Sequence, residues 1–522
     1  MGFEGSTQHT KDRLLLPKAI YLFIIYYVGA TLSRRRLSSP FSQHKVPLVR
    51  CSSTSSYIKT PLDTLTSGLY NKQHAFYNAT FGRWVYNEDK RLAERHLYFD
   101  TNELERLAAK SVRKSSRDVV RITKVAEGGS YRVFEVQFNH EHSVIVRLPY
   151  PCTVPREYGV ESEVATIEYL RLHGLPVPKV LSWCSTAMNP LGCEYIILEK
   201  VKGRELEEVW YTMSHDERKS VMKGIVEVER LLFSFDFPAN GSLFFRNSLP
   251  EHVARVPLLD NDDFCYHGRE ELQVDGNPCE NYSRQVGQRE LRWLEKFGKP
   301  RFPHEPLNRE LYGNKLVDPK AQMENLRNCL SIAPNIFITE SGEISCIIDW
   351  HRTAIFPMFI QARVPTHFEN FGDEASDTFQ SPALPDRFET LSDEEKEIEM
   401  DLYRRRQAHY YYLGFSGRFN YGHFCAIGSP SLAVLNQVCD AAGRPWEGDN
   451  VTLKAQLINV SMIWSQIAPL EEKGTAFPIK YSESEIKECL ALNAEQKRTE
   501  EQMALYRGHF GIGPDGWKRL TR

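Results

Sequence analysis

Between residues 118 and 148 apolar and polar side chains alternate in three runs separated by two short turns, and few folds accommodate that pattern. Asp118–Ala126 has the period of two expected of a strand with one buried face. Glu127, Gly128, Gly129 and Ser130 read as a turn, and Tyr131–Phe138 alternates again. Asn139–His142 is a second turn, and Ser143–Leu148 is a third strand. Three strands joined this way predict an antiparallel meander. The period then changes. Over Glu161–Leu172 the apolar residues Val164, Ile167, Tyr169 and Leu170 fall at helical spacing with charges between them. Gly174, Pro176 and Pro178 end that helix, and Val180–Cys184 and Glu194–Glu199 return to strand character. From Trp210 onward the sequence is mostly helical, including Ser214–Phe233 and Tyr282–Phe297. Ser392–Gln407, Val451–Gln466 and Ser482–Arg507 are charged and amphipathic, as helices on a globular surface are. The fold class is α+β and bilobal: a small N-terminal lobe of antiparallel sheet plus one helix, then a larger, mainly helical lobe.

A chain of 522 residues can bury one large core or two to three domains. The expected division is 1–60 as targeting sequence and linker, 61–118 as an N-terminal helical extension and 119–203 as the sheet lobe. The helical lobe follows at 204–480 and a helical tail at 481–522. A net charge of −3 gives no general attraction to nucleic acid, so no such partner is expected. Eleven Cys without CxxC pairs or metal-like spacing fit free thiols in a reducing compartment. The N-terminus stands apart. Leu14–Leu32 is largely apolar, Arg34–Arg36 follows, and no acidic residue occurs between Lys18 and Arg50. An Arg-rich, Ser-rich, acid-poor leader predicts a mitochondrial transit peptide. Membrane association through 14–32 is the competing expectation, although the run is short for a span. A wrongly assigned start exon is the third.

Four features carry chemistry. Gly128, Gly129 and Ser130 join the first two strands, where glycines let backbone N–H groups approach phosphate oxygens. A plain hairpin turn is the simpler account of the glycine pair. Arg147 ends the third strand and Glu163 lies on the following helix, so the two can pair. That pair could hold a cation against phosphates, or could be a surface salt bridge worth under about 1 kcal/mol. Asn335 and Asp349 flank an apolar hairpin-like stretch, and an amide oxygen plus a carboxylate suits Mg²⁺. The alternative there is a turn near Glu340–Glu343 with an incidental acid before Trp350. Tyr410–Tyr412 is an aromatic cluster better suited to core packing than to a ligand platform.

Taken together, Phe81–Asn87, Ile122–Phe134, Glu161–Thr166, Gly174–Val180, Asn189–Lys200, Arg404–Tyr412 and Trp446–Leu453 resemble the fungal aminoglycoside-phosphotransferase-like kinases. The likeness spans about Tyr70–Trp464 and is especially close to the mitochondrial "altered inheritance of mitochondria" group. It implies a protein-kinase-like bilobal fold, a choline-kinase-like phosphotransferase activity and a mitochondrial location. It also implies ATP and Mg²⁺ as cofactors and an unspecified small-molecule acceptor. Gly128, Gly129, Ser130, Arg147 and Glu163 would serve ATP, and Asn335 and Asp349 would hold the metal. One block departs from the family. Relatives carry a strand and a His-x-Asp loop shortly before the metal Asn, the Asp accepting the proton of the attacking hydroxyl. Here Leu330 stands five positions before Asn335, and a helix runs to Pro334. No catalytic residue can be assigned, so the chain as written is expected to be inactive. Either a coding segment has been lost by splicing or gene assignment, or the protein is a true pseudokinase. A non-catalytic nucleotide-binding module and a membrane-tethered scaffold are the alternative functions.

Overall fold

The alternation over residues 119–149 becomes a five-stranded antiparallel sheet in a computed structural model of the chain. The structure describes the chain apart from residues 1–20, 24–74, 140–141, 153, 155, 202, 204–205, 236, 238–241, 246–255, 258–263, 268–280, 332–353, 357–362, 366, 468–475, 514–515 and 520–522. A short strand β1 (Gly82–Trp84) precedes helices α1 (Glu88–Glu94) and α2 (Thr101–Ser111). The meander follows as β2 (Val119–Glu127), β3 (Tyr131–Phe138) and β4 (Ser143–Pro149). Helix α3 (Tyr158–Leu172) leads to β5 (Val180–Cys184) and β6 (Tyr195–Glu199). The sheet order is β2-β3-β4-β6-β5, so β5 lies at the edge and β6 is inserted beside β4. This is the expected β-β-β-α-β-β order. Helix α3 begins three residues before the expected Glu161, because Val160 is already buried against the sheet.

The two faces of the sheet are covered by different parts of the chain. Val144, Val146 and Leu148 of β4 and Tyr195 and Ile197 of β6 face the segment before β2. There they meet Phe76, Tyr77, Leu97, Phe99, Leu104 and Ala108. The other phase, Ile145, Ile196 and Leu198, faces Val160, Val164 and Ile167 of α3. The segment before the meander thus forms one wall of the sheet's core. Phe134 is fully buried at that seam, with edge-on contacts to Phe76 at 5.3 Å and Phe99 at 5.5 Å between ring centroids.

The rest is mainly helical: α4 (His215–Leu232), α5 (Asn281–Phe297), α6 (Lys320–Ser331), α7 (Asp393–Phe419), α8 (Tyr421–Ile427), α9 (Pro430–Gly443), α10 (Thr452–Met462) and α11 (Glu483–Phe510). Three of these start where the sequence carries a reciprocal cap. Ser214 with Glu217, Ser392 with Glu395 and Ser482 with Glu485 each satisfy two backbone donors that the first helical turn leaves open. Tyr412 is fully buried between α4 and α7 and donates to Glu229, as expected of a core aromatic. Of the apolar stretch 14–32 only Tyr21–Phe23 is described, as a strand paired with β7 (Ala354–Phe356). Among the described residues no helix is long and apolar enough to cross a membrane.

Two measurements follow from this packing. Phe134→Ala opens a cavity between the N-terminal segment and the sheet, and should cost about 3–5 kcal/mol in denaturant unfolding. Burial also pushes the Glu229 carboxyl from its ordinary 4.5 up to about 8, opposed by the Tyr412 hydroxyl. Between those values the native state keeps a proton that the unfolded chain has lost, so stability falls as pH rises. Burial pushes His423 the other way, from 6.5 down to about 3, so its contribution rises with pH across that window. The slopes of these two groups oppose each other between pH 4.5 and 6.5, and of the two only Glu229 contributes from there to 8. Glu229→Gln should therefore remove a decline of roughly 2 kcal/mol between pH 6.5 and 8, visible in parallel urea titrations of the two proteins.

Candidate functional site

Arg147 sits near the end of β4 opposite Val133 of β3, on the sheet face that looks toward α3. Its side chain is 10% exposed and the Glu163 side chain fully buried, with Nη1 and Oε1 2.5 Å apart. The expected partnership is therefore formed, and it is a buried pair. Removing either partner of such a pair leaves an uncompensated charge in a poorly solvated place, at a cost of several kcal/mol. Tyr131 completes the arrangement. Its hydroxyl donates to the second Glu163 oxygen at 2.6 Å, and the Arg147 guanidinium lies over its ring at 4.3 Å. Both carboxylate oxygens are thus engaged by neighbours on the sheet, which holds the guanidinium at a set place below the turn.

Gly128, Gly129 and Ser130 form the β2–β3 turn, closed by the Gly128 N–H donating to the Tyr131 carbonyl at 3.0 Å. The Ser130 carbonyl accepts from Tyr150 N at 2.8 Å. Neither glycine has a positive φ. A Cβ at Gly129 would meet nothing within 4 Å, and one at Gly128 only the Tyr131 carbonyl at 3.6 Å. The protein's own packing therefore does not require glycine at either position. Open space beside exposed backbone suits a phosphate group approaching the N–H donors.

Glu127 has a larger part than a turn residue. Its carboxylate is 2% exposed and accepts from Thr80 N at 2.8 Å and Phe81 N at 2.9 Å. Lys124 Nζ also donates to it, and to Ala75 O, Asn78 O and Thr80 Oγ1 at 2.6–3.0 Å. Burial pushes the Lys124 ammonium from 10.5 down to about 8, with Glu127 working against that shift. Arg132, fully buried on the same face, donates to Phe76 O at 3.0 Å and Arg95 O at 3.1 Å. The residues before the meander are fastened to the sheet by charge at the base of the glycine turn.

The structure brings Gly128, Gly129, Ser130, Arg147 and Glu163 to one end of the sheet. Asn335 and Asp349 lie outside the described residues. Leu330 falls in the last turn of α6, which continues to Ser331. Among the described residues no group of three or more His, Cys, Asp or Glu could hold a metal ion. Two contributors were missed from sequence, Tyr131 and Glu127. Tyr131 was recoverable, since the meander register places it diagonally across from Arg147 on the same face. Glu127 was not, because its amide partners lie 46 and 47 residues away in a segment expected to be helical.

Residues 121–302 match the phosphotransferase enzyme family. A subtelomeric hrmA-associated cluster protein of Aspergillus fumigatus is 27% identical over 461 residues, covering 76% of this chain and 88% of that protein. Altered inheritance of mitochondria protein 9, mitochondrial, of Meyerozyma guilliermondii is 25% identical over 305 residues. That match covers 50% of this chain and 48% of the yeast protein, so the chain spans about half its length. The chain is thus similar to these two fungal proteins and, over residues 121–302, to the phosphotransferase enzyme family. The names that the yeast relatives carry include the word mitochondrial, the compartment expected from the leader sequence. A distant likeness in shape joins it to the gentamicin complex of APH(2")-IIa, with 11% identity and a TM-score of 0.35 over 69% of this chain and 97% of that one. The Aspergillus alignment has 461 positions, more than 76% of 522 residues can fill, so the relative has residues with no counterpart in this chain.

Replacing Tyr131 by Phe removes one charge-assisted hydrogen bond and should cost roughly 1.5–3 kcal/mol. Glu163→Ala strands the buried guanidinium and should cost about 3–5 kcal/mol. Equal losses for the two variants in chemical denaturation would contradict this account of the pair.

Proposed function

We propose that this phosphotransferase relative holds a nucleotide triphosphate with Mg²⁺ and, with this sequence, does not transfer the phosphate. The observation that carries the reading is the Arg147–Glu163 pair, fixed by Tyr131 at the same end of the sheet as an open glycine turn. The Gly128–Ser130 backbone would approach the phosphates, and Arg147 would supply a cation to them. Glu163 orients that cation rather than touching the ligand. A forked guanidinium suits phosphate oxygens and keeps its charge at any working pH. Asn335 and Asp349 offer the hard oxygens that Mg²⁺ prefers, and the metal when bound would neutralise phosphate charge.

Transfer needs more than binding. An acceptor hydroxyl must lose its proton, and a positioned base typically contributes ~10²–10⁴-fold. Helix α6 occupies the positions where a base would precede Asn335, and Leu330 has no proton-accepting group. The acceptor belongs to a small-molecule class, and its identity does not follow from the fold.

Thermal unfolding with ATP and Mg²⁺ should show a concentration-dependent rise in Tm that follows simple linkage. Arg147→Ala should abolish that rise, and phosphate release should remain at background. Turnover above background that disappears in Asp349→Ala would overturn the inactive reading. Sequencing the transcript across Pro334 and Asn335 separates a skipped coding segment from a true pseudokinase.

A further inference from the structure

The last described strand, β8 (Trp517–Arg519), pairs antiparallel with β1, with Trp517 opposite Trp84 and Arg519 opposite Gly82. This joins the far C-terminus to the segment that covers the sheet. The contact is closely fitted. The Trp84 and Trp517 rings are 4.3 Å apart, and a Cβ at Gly82 would lie 2.3 Å from the Trp517 ring. Gly516 has φ +85°, and a Cβ there would meet the Tyr86 ring at 2.5 Å. Its carbonyl accepts from Val85 N at 2.9 Å.

Both ends of this pairing are anchored. On one side, α11 leads into β8 and is fastened to the helical part of the chain. Arg507 Nη2 meets Glu305 at 2.7 Å, and Gln496 donates to Thr452 of α10 at 3.3 Å. On the other side, Thr80 and Phe81, immediately before β1, donate their N–H groups to Glu127. Glu127 is the residue before Gly128. Arg95 adds a second tie, with its guanidinium over the Trp84 ring at 4.7 Å and its carbonyl accepting from Arg132.

We propose that β8 is a clasp that holds the Gly128–Gly129 turn in place through β1, with Glu127 as the positioning residue. The inference rests on the nucleotide reading of that turn, and adds that the C-terminus sets how well the turn is pre-organised. Releasing the clasp frees β1, loosens Thr80 and Phe81 and lets the turn fluctuate, so a ligand must then order it at the expense of affinity.

The test uses full-length Trp517→Ala, with backbone hydrogen exchange and ATP–Mg²⁺ calorimetry as readouts. Exchange at Thr80, Phe81 and Gly128 should speed up by about tenfold or more while Val146 and Leu148 in β4 stay protected. The dissociation constant for ATP–Mg²⁺ should rise by about tenfold. Glu127→Ala should loosen Gly128 in the same way while leaving the β1–β8 amides protected. Should that variant not fold, Trp517→Ala decides alone. Unchanged exchange at Gly128 in a Trp517→Ala protein whose β1 amides have become exposed would overturn the clasp. A wild-type chain that binds no nucleotide overturns the nucleotide reading, and with it the positioning role of Glu127, whereas the exchange result reports the mechanical link separately.

Discussion

A carboxylate withdrawn from water at Glu127 is the constraint on which the sheet end depends. Burying a charge costs several kcal/mol unless donors surround it. The donors come from two places: Lys124 on the same strand, and the Thr80 and Phe81 amides on a segment far away in sequence. The charge is tolerable only when that segment lies on the sheet. Its presence there covers Val144, Val146 and Leu148 and brings Trp84 within reach of the C-terminus. One ionised group thus ties together the wall of the core, the base of the glycine turn and the docking of β8.

The sheet carries a second buried charge system on its opposite face. Period-two alternation sends Arg132 and Leu148 one way and Val133 and Arg147 the other. Lys124, Glu127 and Arg132 fasten the N-terminal segment, while Arg147, Glu163 and Tyr131 fasten α3. The glycine turn lies between them, joining β2, which ends in Glu127, to β3, which begins at Tyr131. Its backbone is held from both sides while its outer surface stays open. A turn built only to reverse the chain would need neither set of charges.

Much of this arrangement is legible in the sequence, and the limit has a physical cause. Alternation marks strands and helix period marks α3 because both are local. The Ser-x-x-Glu caps at Ser214, Ser392 and Ser482 mark helix starts for the same reason. The Arg147–Glu163 pair was within reach because strand and helix are adjacent in the chain. Periodicity says which face a residue occupies, and not what covers that face. Glu127 therefore looked like a turn residue until Thr80 and Phe81 were placed over it. The β1–β8 pairing is less accessible still, since two three-residue strands far apart in the chain leave almost no periodic signal. Asn335 and Asp349 lie outside the described residues, and their proposed role as metal ligands rests on their chemistry.

Arg147, Glu163 and Tyr131, the groups proposed to serve the nucleotide, are joined to one another by contacts among the described residues. Both oxygens of Glu163 are engaged by Arg147 and Tyr131, so neither needs a ligand or a catalytic loop to be satisfied. Glu127 is likewise satisfied by the chain itself. Loss of a proton-accepting segment before Asn335 would therefore leave this end of the sheet with its charges paired and its turn supported. On the proposed reading, phosphate holding would lie at the glycine turn and proton transfer in a separate stretch of sequence before Asn335. Such a chain could shed the second and keep the first, because both Glu163 oxygens and the Glu127 carboxylate are engaged by donors among the described residues.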